Sequence, residues 1–121
     1  MKRAVAIDST YARAWFSLGD LYRRTGRSED AVDAYERGLR HKPRRPDMAE
    51  VLAAEYLRLG RPREAVLAAR RGLEASPGDA RLLFVLARAY HSAGDRAQAL
   101  EWARRAEDLG CDVRDLLDEL E

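Results

Sequence analysis

The groups in this sequence best equipped for chemistry are guanidiniums. Of its 22 basic residues, 20 are Arg and only Lys2 and Lys42 are Lys. The planar guanidinium makes two-pronged hydrogen bonds to carboxylates, so the chemistry on offer is recognition of acidic groups. Other reactive types are sparse. His41 and His91 lie 50 positions apart, and the chain has no Gly-rich phosphate loop, no H-E-x-x-H and no G-x-S-x-G. Cys111 is the sole cysteine, which permits no internal disulfide, and no Cys/His cluster exists to build a zinc site. The acids near the C-terminus alternate around an exposed helix face instead of converging as a carboxylate pair. No catalytic residue, metal or cofactor is assigned.

The rest of the composition narrows the class. At 121 residues there is room for one domain, and 46% apolar with 36% charged residues, four Pro and eight Gly describe a chain that folds. No apolar run approaches the roughly 20 residues of a transmembrane helix, and the N-terminus lacks the apolar core of a signal peptide. The formal net charge of +1 hides a split. From Glu107 to Glu121 seven acids face Arg114 alone, for a net −6, and the remainder carries +7. The basic run Arg40, His41, Lys42, Arg44 and Arg45 invites a nucleic-acid reading, but near-neutral total charge and an acidic end argue against a broad phosphate-binding face. Arg- and Ala-rich composition is common in G+C-rich bacterial genomes. The expected compartment is the cytoplasm, or the periplasm if the chain is a piece of a secreted or anchored protein.

Positioning these groups falls to an internal repeat of 34 residues. Leu18, Leu52 and Leu86 coincide at that spacing, as do Tyr22, Tyr56 and Tyr90; Gly26, Gly60 and Gly94; and Ala31, Ala65 and Ala99. Gly19, Ala53 and Ala87 form a column of small residues. Each copy holds two stretches of helical periodicity separated by Gly. In the first, the apolar face runs Trp15, Leu18, Leu21, Tyr22, stops at Gly26, and resumes after Ser28, read as an N-cap. Pro46 and Pro62 sit at helix starts, and Asp79 and Asp95 read as N-caps. The predicted helices span 12–25, 28–41, 46–59, 62–75, 80–93 and 96–109. Strand signals are absent.

Trp15, Leu18, Gly19, Tyr22, Ala31, Tyr35 and Pro43 match the W-x2-L-G-x2-Y, A-x3-F, P pattern, with Tyr for Phe, and the copy thus resembles the tetratricopeptide repeat. The second copy keeps Leu52, Tyr56, Ala65 and Pro77; the third keeps Leu86, Tyr90 and Ala99, with Cys111 at the place of the last Pro. The resemblance implies an all-α, right-handed solenoid with repeats at 12–45, 46–79 and 80–111. Trp15, Tyr22, Tyr35, Tyr56 and Tyr90 are expected to fill the space between hairpins. Residues 1–10, where Ala4, Val5 and Ile7 share the frame of a second helix, read as the end of a preceding repeat or an N-terminal cap. Residues 112–121, with Val113, Leu116, Leu117 and Leu120 at helical spacing, read as an acidic capping helix.

In this family the first helices line the concave side, where ligands dock. Carried onto this sequence, the groove holds Arg13, Phe16, Asp20, Arg23 and Arg24; Asp47, Glu50, Ala54, Leu57 and Arg58; and Arg81, Phe84, Arg88, His91 and Ser92, flanked by Arg44 and Arg45. Phe16 and Phe84 have no role in the core frame and are expected to project as apolar anchors. The partner implied is another protein or peptide, an acidic segment with a bulky apolar side chain, bound by a non-catalytic scaffold. A subset of the family grips chaperone tails with Lys, Asn, Asn, Lys and Arg. Those places read Phe16, Asp20, Val51, Arg81 and Val85 here, and only Arg81 suits a clamp. Two alternatives stand beside the groove: self-association of the acidic helix with a basic groove or through stacking of ends, and an accessory role within a larger protein.

Overall fold

A computed structural model describes the backbone of residues 2–120 and the side chains of residues 11–120. Seven helices follow in order: α1 (Lys2–Arg24), α2 (Ser28–His41), α3 (Pro46–Arg58), α4 (Pro62–Ala75), α5 (Ala80–Ser92), α6 (Arg96–Asp108) and α7 (Arg114–Leu120). Helices α1/α2, α3/α4 and α5/α6 pair as hairpins, and each hairpin packs on the next through α2/α3 and α4/α5. The result is a right-handed α-solenoid. Among the described residues there is no strand.

The period is enforced by its turns. Gly26, Gly60 and Gly94 end the first helix of each hairpin at φ 77°, 71° and 85°, a region that costs L-residues with a Cβ about 1–2 kcal/mol. Past each glycine the chain bonds back to the tyrosine column: Arg27 N–H to Tyr22 C=O (2.8 Å), Arg61 to Tyr56 (2.9 Å) and Asp95 to Tyr90 (2.9 Å). This 6→1 closure with left-handed glycine is a Schellman turn. The residue after the glycine therefore becomes the N-cap of the next helix. Asp95 caps as expected, accepting from Gln98 N–H at 3.1 Å. Ser28 does not: the cap position belongs to Arg27, and Ser28 is the first helical residue. Asp79 accepts from Arg81 N–H at 3.0 Å, and Pro46 and Pro62 open α3 and α4.

Connections between hairpins work differently. Lys42 and Ser76 donate to Gly38 and Gly72 C=O at 3.0 Å, and Pro43 and Pro77 follow, unable to donate. After α6 both residues change. Gly110 adopts φ 92°, and Cys111 N–H reaches Ala106 C=O at 3.0 Å, a bond proline could not make. The last connection is thus a Schellman turn like those inside hairpins. Helix α7 still starts 34 residues after Ala80. Leu116 and Leu120 pack onto Ala87, Ala99 and Ala103, and Val113 meets Leu83 and Ala106, so α7 caps the third hairpin.

Leu52, Leu86 and Leu120, at 34-residue spacing in α3, α5 and α7, are buried to 2% exposure or less, while Leu18 of the same column is half-buried. The small columns Ala31, Ala65 and Ala99 are fully buried. Where Gly19 lies on α1, the fully buried Tyr35 ring lies over it; a Cβ at Gly19 would stand 2.7 Å from Tyr35 Cε1. The second and third hairpins place Ala53 with Ala69 and Ala87 with Ala103 in the same columns, trading ring for methyl. Three expectations need correction. Tyr35 packs inside its own hairpin, not between hairpins, because Gly19 opens the slot. Tyr22 and Tyr90 do pack against the core that the hairpins share, but Trp15 is only half-buried, and Leu21, expected on the apolar face, is 55% exposed. Helix α1 is continuous from Lys2, so no turn separates residues 2–10 from the first repeat; the side-chain frame of Ala4, Val5 and Ile7 lies outside the described residues.

Candidate functional site

Helices α3 and α5 touch directly, and the face they share is concave. On it lies a cleft of about 310 Å³ walled by Glu50, Val51, Ala54, Glu55 and Arg58 of α3 and by Arg81, Phe84, Val85 and Arg88 of α5, with Arg23 and Cys111 at its margins. An adjoining cleft of about 550 Å³ continues past Ala54, Leu57, Arg58, Arg88, His91 and Ser92 to Leu116 and Glu119 of the capping helix. Spacing explains the assembly: positions three, four and seven apart share a helix face, so Glu50, Ala54 and Arg58 line up, as do Arg81, Phe84, Arg88 and His91.

Five expected site residues, Glu50, Arg58, Arg81, Phe84 and Arg88, thus converge, and His91 extends them. Phe84 is half-buried, with the Arg88 guanidinium 6.0 Å from its ring centroid, so the ring offers an apolar surface beside a cation. Burial pushes the Glu50 carboxyl above its usual range, and Arg81 opposes that rise. His91 Nε2 stands 3.3 Å from Glu119 Oε2, so an acid of α7 already lies against the groove's cationic rim.

The first hairpin contributes differently. Phe16 is 5% exposed and is not an anchor. A Cβ at Gly38 would lie 2.5 Å from Phe16 Cε1, so the ring occupies the space a side chain there would fill, with the Arg45 guanidinium 5.1 Å from its centroid. Ala106 holds the Gly38 column in the third hairpin, and there the corresponding ring, Phe84, is half-buried and lines the α3–α5 cleft. Arg13, Asp20 and Arg45 border a separate depression of about 300 Å³. Arg45 is committed to Asp47 at 2.8 Å, which holds the Asp47 carboxyl below its usual range. Arg24 and Arg44 are exposed outside all three clefts.

Asp20 is tied inward. Tyr35 OH donates to Asp20 Oδ1 at 2.5 Å, and Arg23 Nε donates to Tyr35 OH at 3.2 Å. Burial first and the Asp20 bond second push the Tyr35 hydroxyl up to about 12. Two residues escaped sequence reasoning. Glu55 is a buried carboxylate in the cleft wall, and Cys111, noted only as the sole cysteine at the place of the last Pro, also lines the cleft. The signal for Glu55 was its column, where Leu21 and Ala89 make a charge anomalous. Among the described residues no group of three or more His, Cys, Asp or Glu is placed to hold a metal ion, and no helix is long and apolar enough to cross a membrane.

Comparison with known proteins agrees with this architecture. No curated protein matches the sequence significantly. The first TPR of Spaghetti (RPAP3), solved bound to the HSP90 peptide SRMEEVD, superposes with a TM-score of 0.82 at 20% identity, over 93% of this chain and 89% of that one. The TPR2B domain of yeast Sti1, in its pHsp70 complex, gives 0.80 at 22% identity over 93% and 94%. MamA gives 0.77 at 25% identity over 87% of this chain and 57% of that one. The tetratricopeptide repeat family model matches residues 3–109. With its 34-residue period, paired helices and glycine-closed turns, the chain belongs to the tetratricopeptide repeat family.

Proposed function

We propose that the chain is a non-catalytic docking scaffold that takes an acidic peptide segment, with an apolar side chain, in the cleft between α3 and α5. The observation that carries this reading is the convergence of Arg58, Arg81 and Arg88 around the half-exposed Phe84 ring. Guanidiniums on a partly desolvated wall favour bidentate pairing with carboxylates, and the ring supplies an apolar contact between them. RPAP3 and Sti1 domains of the same fold are solved with peptide or chaperone partners, which supports a groove reading. The apolar Val51 and Val85 at clamp places argue for a partner other than a chaperone tail.

The test is Arg81→Glu with Arg88→Glu, both exposed, assayed by fluorescence anisotropy against acidic heptapeptides carrying one Leu or Phe. Loss of binding by at least tenfold with unchanged helical circular dichroism is expected. Undiminished binding refutes the reading. Self-association draws on the same chemistry, since Glu119 meets His91 within one chain. A mass that rises with concentration and falls with salt in light scattering would favour it, and a constant mass would favour the monomeric scaffold.

A further inference from the structure

Glu55 is the one charged residue among the described residues that is buried, at 2% exposure. Among the described residues its Oε2 has no hydrogen-bond partner. The Arg58 guanidinium stands 3.9 Å from the other oxygen, beyond hydrogen-bond reach. An orphaned buried carboxylate oxygen is costly, and a fold that retains one at the wall of a ligand-sized cleft has an acceptor in reserve. We propose that Glu55 is the main-chain receptor of the groove: it accepts an amide N–H from an extended peptide whose acidic side chains pair with Arg58, Arg81 and Arg88. The proposal rests on the groove reading above and specifies how that groove holds its ligand.

Charge selects the donor. Arg58 and Arg23 already flank Glu55 on the cleft, and Arg23 is committed to Tyr35 and Asp20. A third cation brought to the same carboxylate would be repelled by both, whereas a neutral N–H is not. Shape selects the main chain over a side-chain amide. The cleft that Glu55 lines includes Val51, Ala54 and Val85, short residues that let a backbone approach closely. Access follows from Arg58, whose side chain is 66% exposed. A ligand carboxylate that draws this guanidinium outward uncovers the Glu55 oxygens as it binds, so the ionic contact and the main-chain contact form together.

The test is an N-methyl scan of the tightest acidic heptapeptide found by anisotropy, since N-methylation deletes one N–H and leaves every side chain in place. Against the wild-type chain, one position is expected to lose binding about tenfold on methylation. That position-specific loss should persist in Glu55→Gln, which keeps a carbonyl acceptor, and vanish in Glu55→Leu. Glu55→Met serves if Glu55→Leu does not fold. Equal methylation penalties in the wild type and the acceptor-free variant would overturn the proposal. So would a Lys-bearing peptide whose advantage disappears in Glu55→Gln, because that would make the donor a cation. If no acidic peptide binds the wild type, the groove reading itself fails and this inference with it.

Discussion

Gly19→Ala should change sign with the residue opposite it. The added Cβ would stand 2.7 Å from Tyr35 Cε1 and 2.8 Å from Cδ1, closer than carbon atoms tolerate. Tyr35 cannot swing away freely, because it is fully buried and its hydroxyl is held by Asp20 and Arg23. Overpacking of this kind costs about 1–3 kcal/mol. Replacing a mid-helix glycine by alanine returns about 0.8–1.0 kcal/mol of helix propensity. The net expectation is a loss of about 1 kcal/mol. In a Tyr35→Ala background, where adding Gly19→Ala reproduces the alanine pairs of the other two hairpins, the clash is gone and only the propensity remains. Gly19→Ala should then stabilise by about 1 kcal/mol, so the coupling between the two sites is about 2 kcal/mol. Urea unfolding followed by circular dichroism measures all four corners of the cycle. Tyr35→Val, which removes the Cδ1, Cε1 and Cζ atoms that crowd Gly19, substitutes if Tyr35→Ala is too unstable. An equal effect of Gly19→Ala in both backgrounds would refute the slot-and-ring account.

Two more outcomes follow from the turns and the tyrosines. Burial pushes both Tyr35 and Tyr56 up to about 12, helped by Asp20 and Glu36 respectively. The folded state therefore holds these protons more tightly than the unfolded chain. The stability they contribute is complete below about pH 10 and is lost as pH rises toward 12, on the order of 2–3 kcal/mol per group, readable as denaturant midpoints falling across that window with tyrosinate absorbance at 295 nm rising late. Gly110→Ala should cost about 1 kcal/mol from its positive φ alone, since nothing lies within 4 Å of the added methyl. Gly78→Ala, equally uncrowded and without positive φ, should be neutral or stabilising by up to about 1 kcal/mol, and thermal melts of the pair separate backbone strain from packing.

Much of the fold was legible because the turn chemistry repeats with the period. Helices α2 and α4 match their predicted bounds, and the ends expected at 25, 59, 93 and 109 fall one residue short because glycine closure begins there: Leu59, Ala93 and Leu109 are the C-caps. The α3–α5 wall was legible for the same reason, since groove columns follow the helix period. Phe16 was not. Columns assign a residue to a face of its own helix, but whether its side chain is buried depends on the volume opposite, here the space at Gly38 that the Phe16 ring fills. Glu55 escaped for a related reason: its environment is set by α1 and α5 together, which no spacing within α3 encodes. Ser28 was misread by one position because the glycine closure, not the side chain, fixes where the next helix begins.

Each hairpin in this stack leans on its neighbours, so a disturbance at one end crosses every interface in turn to reach the other. A segment seated along the groove would change that arithmetic, because α1, α3, α5 and α7 all contribute to the clefts it would follow. Its contacts would tie residues of different hairpins to one another across the stack. Occupancy of the groove then acts as a mechanical splint: hydrogen exchange in α2 and α6, helices that never touch the ligand, would slow in step with that of the helices that do.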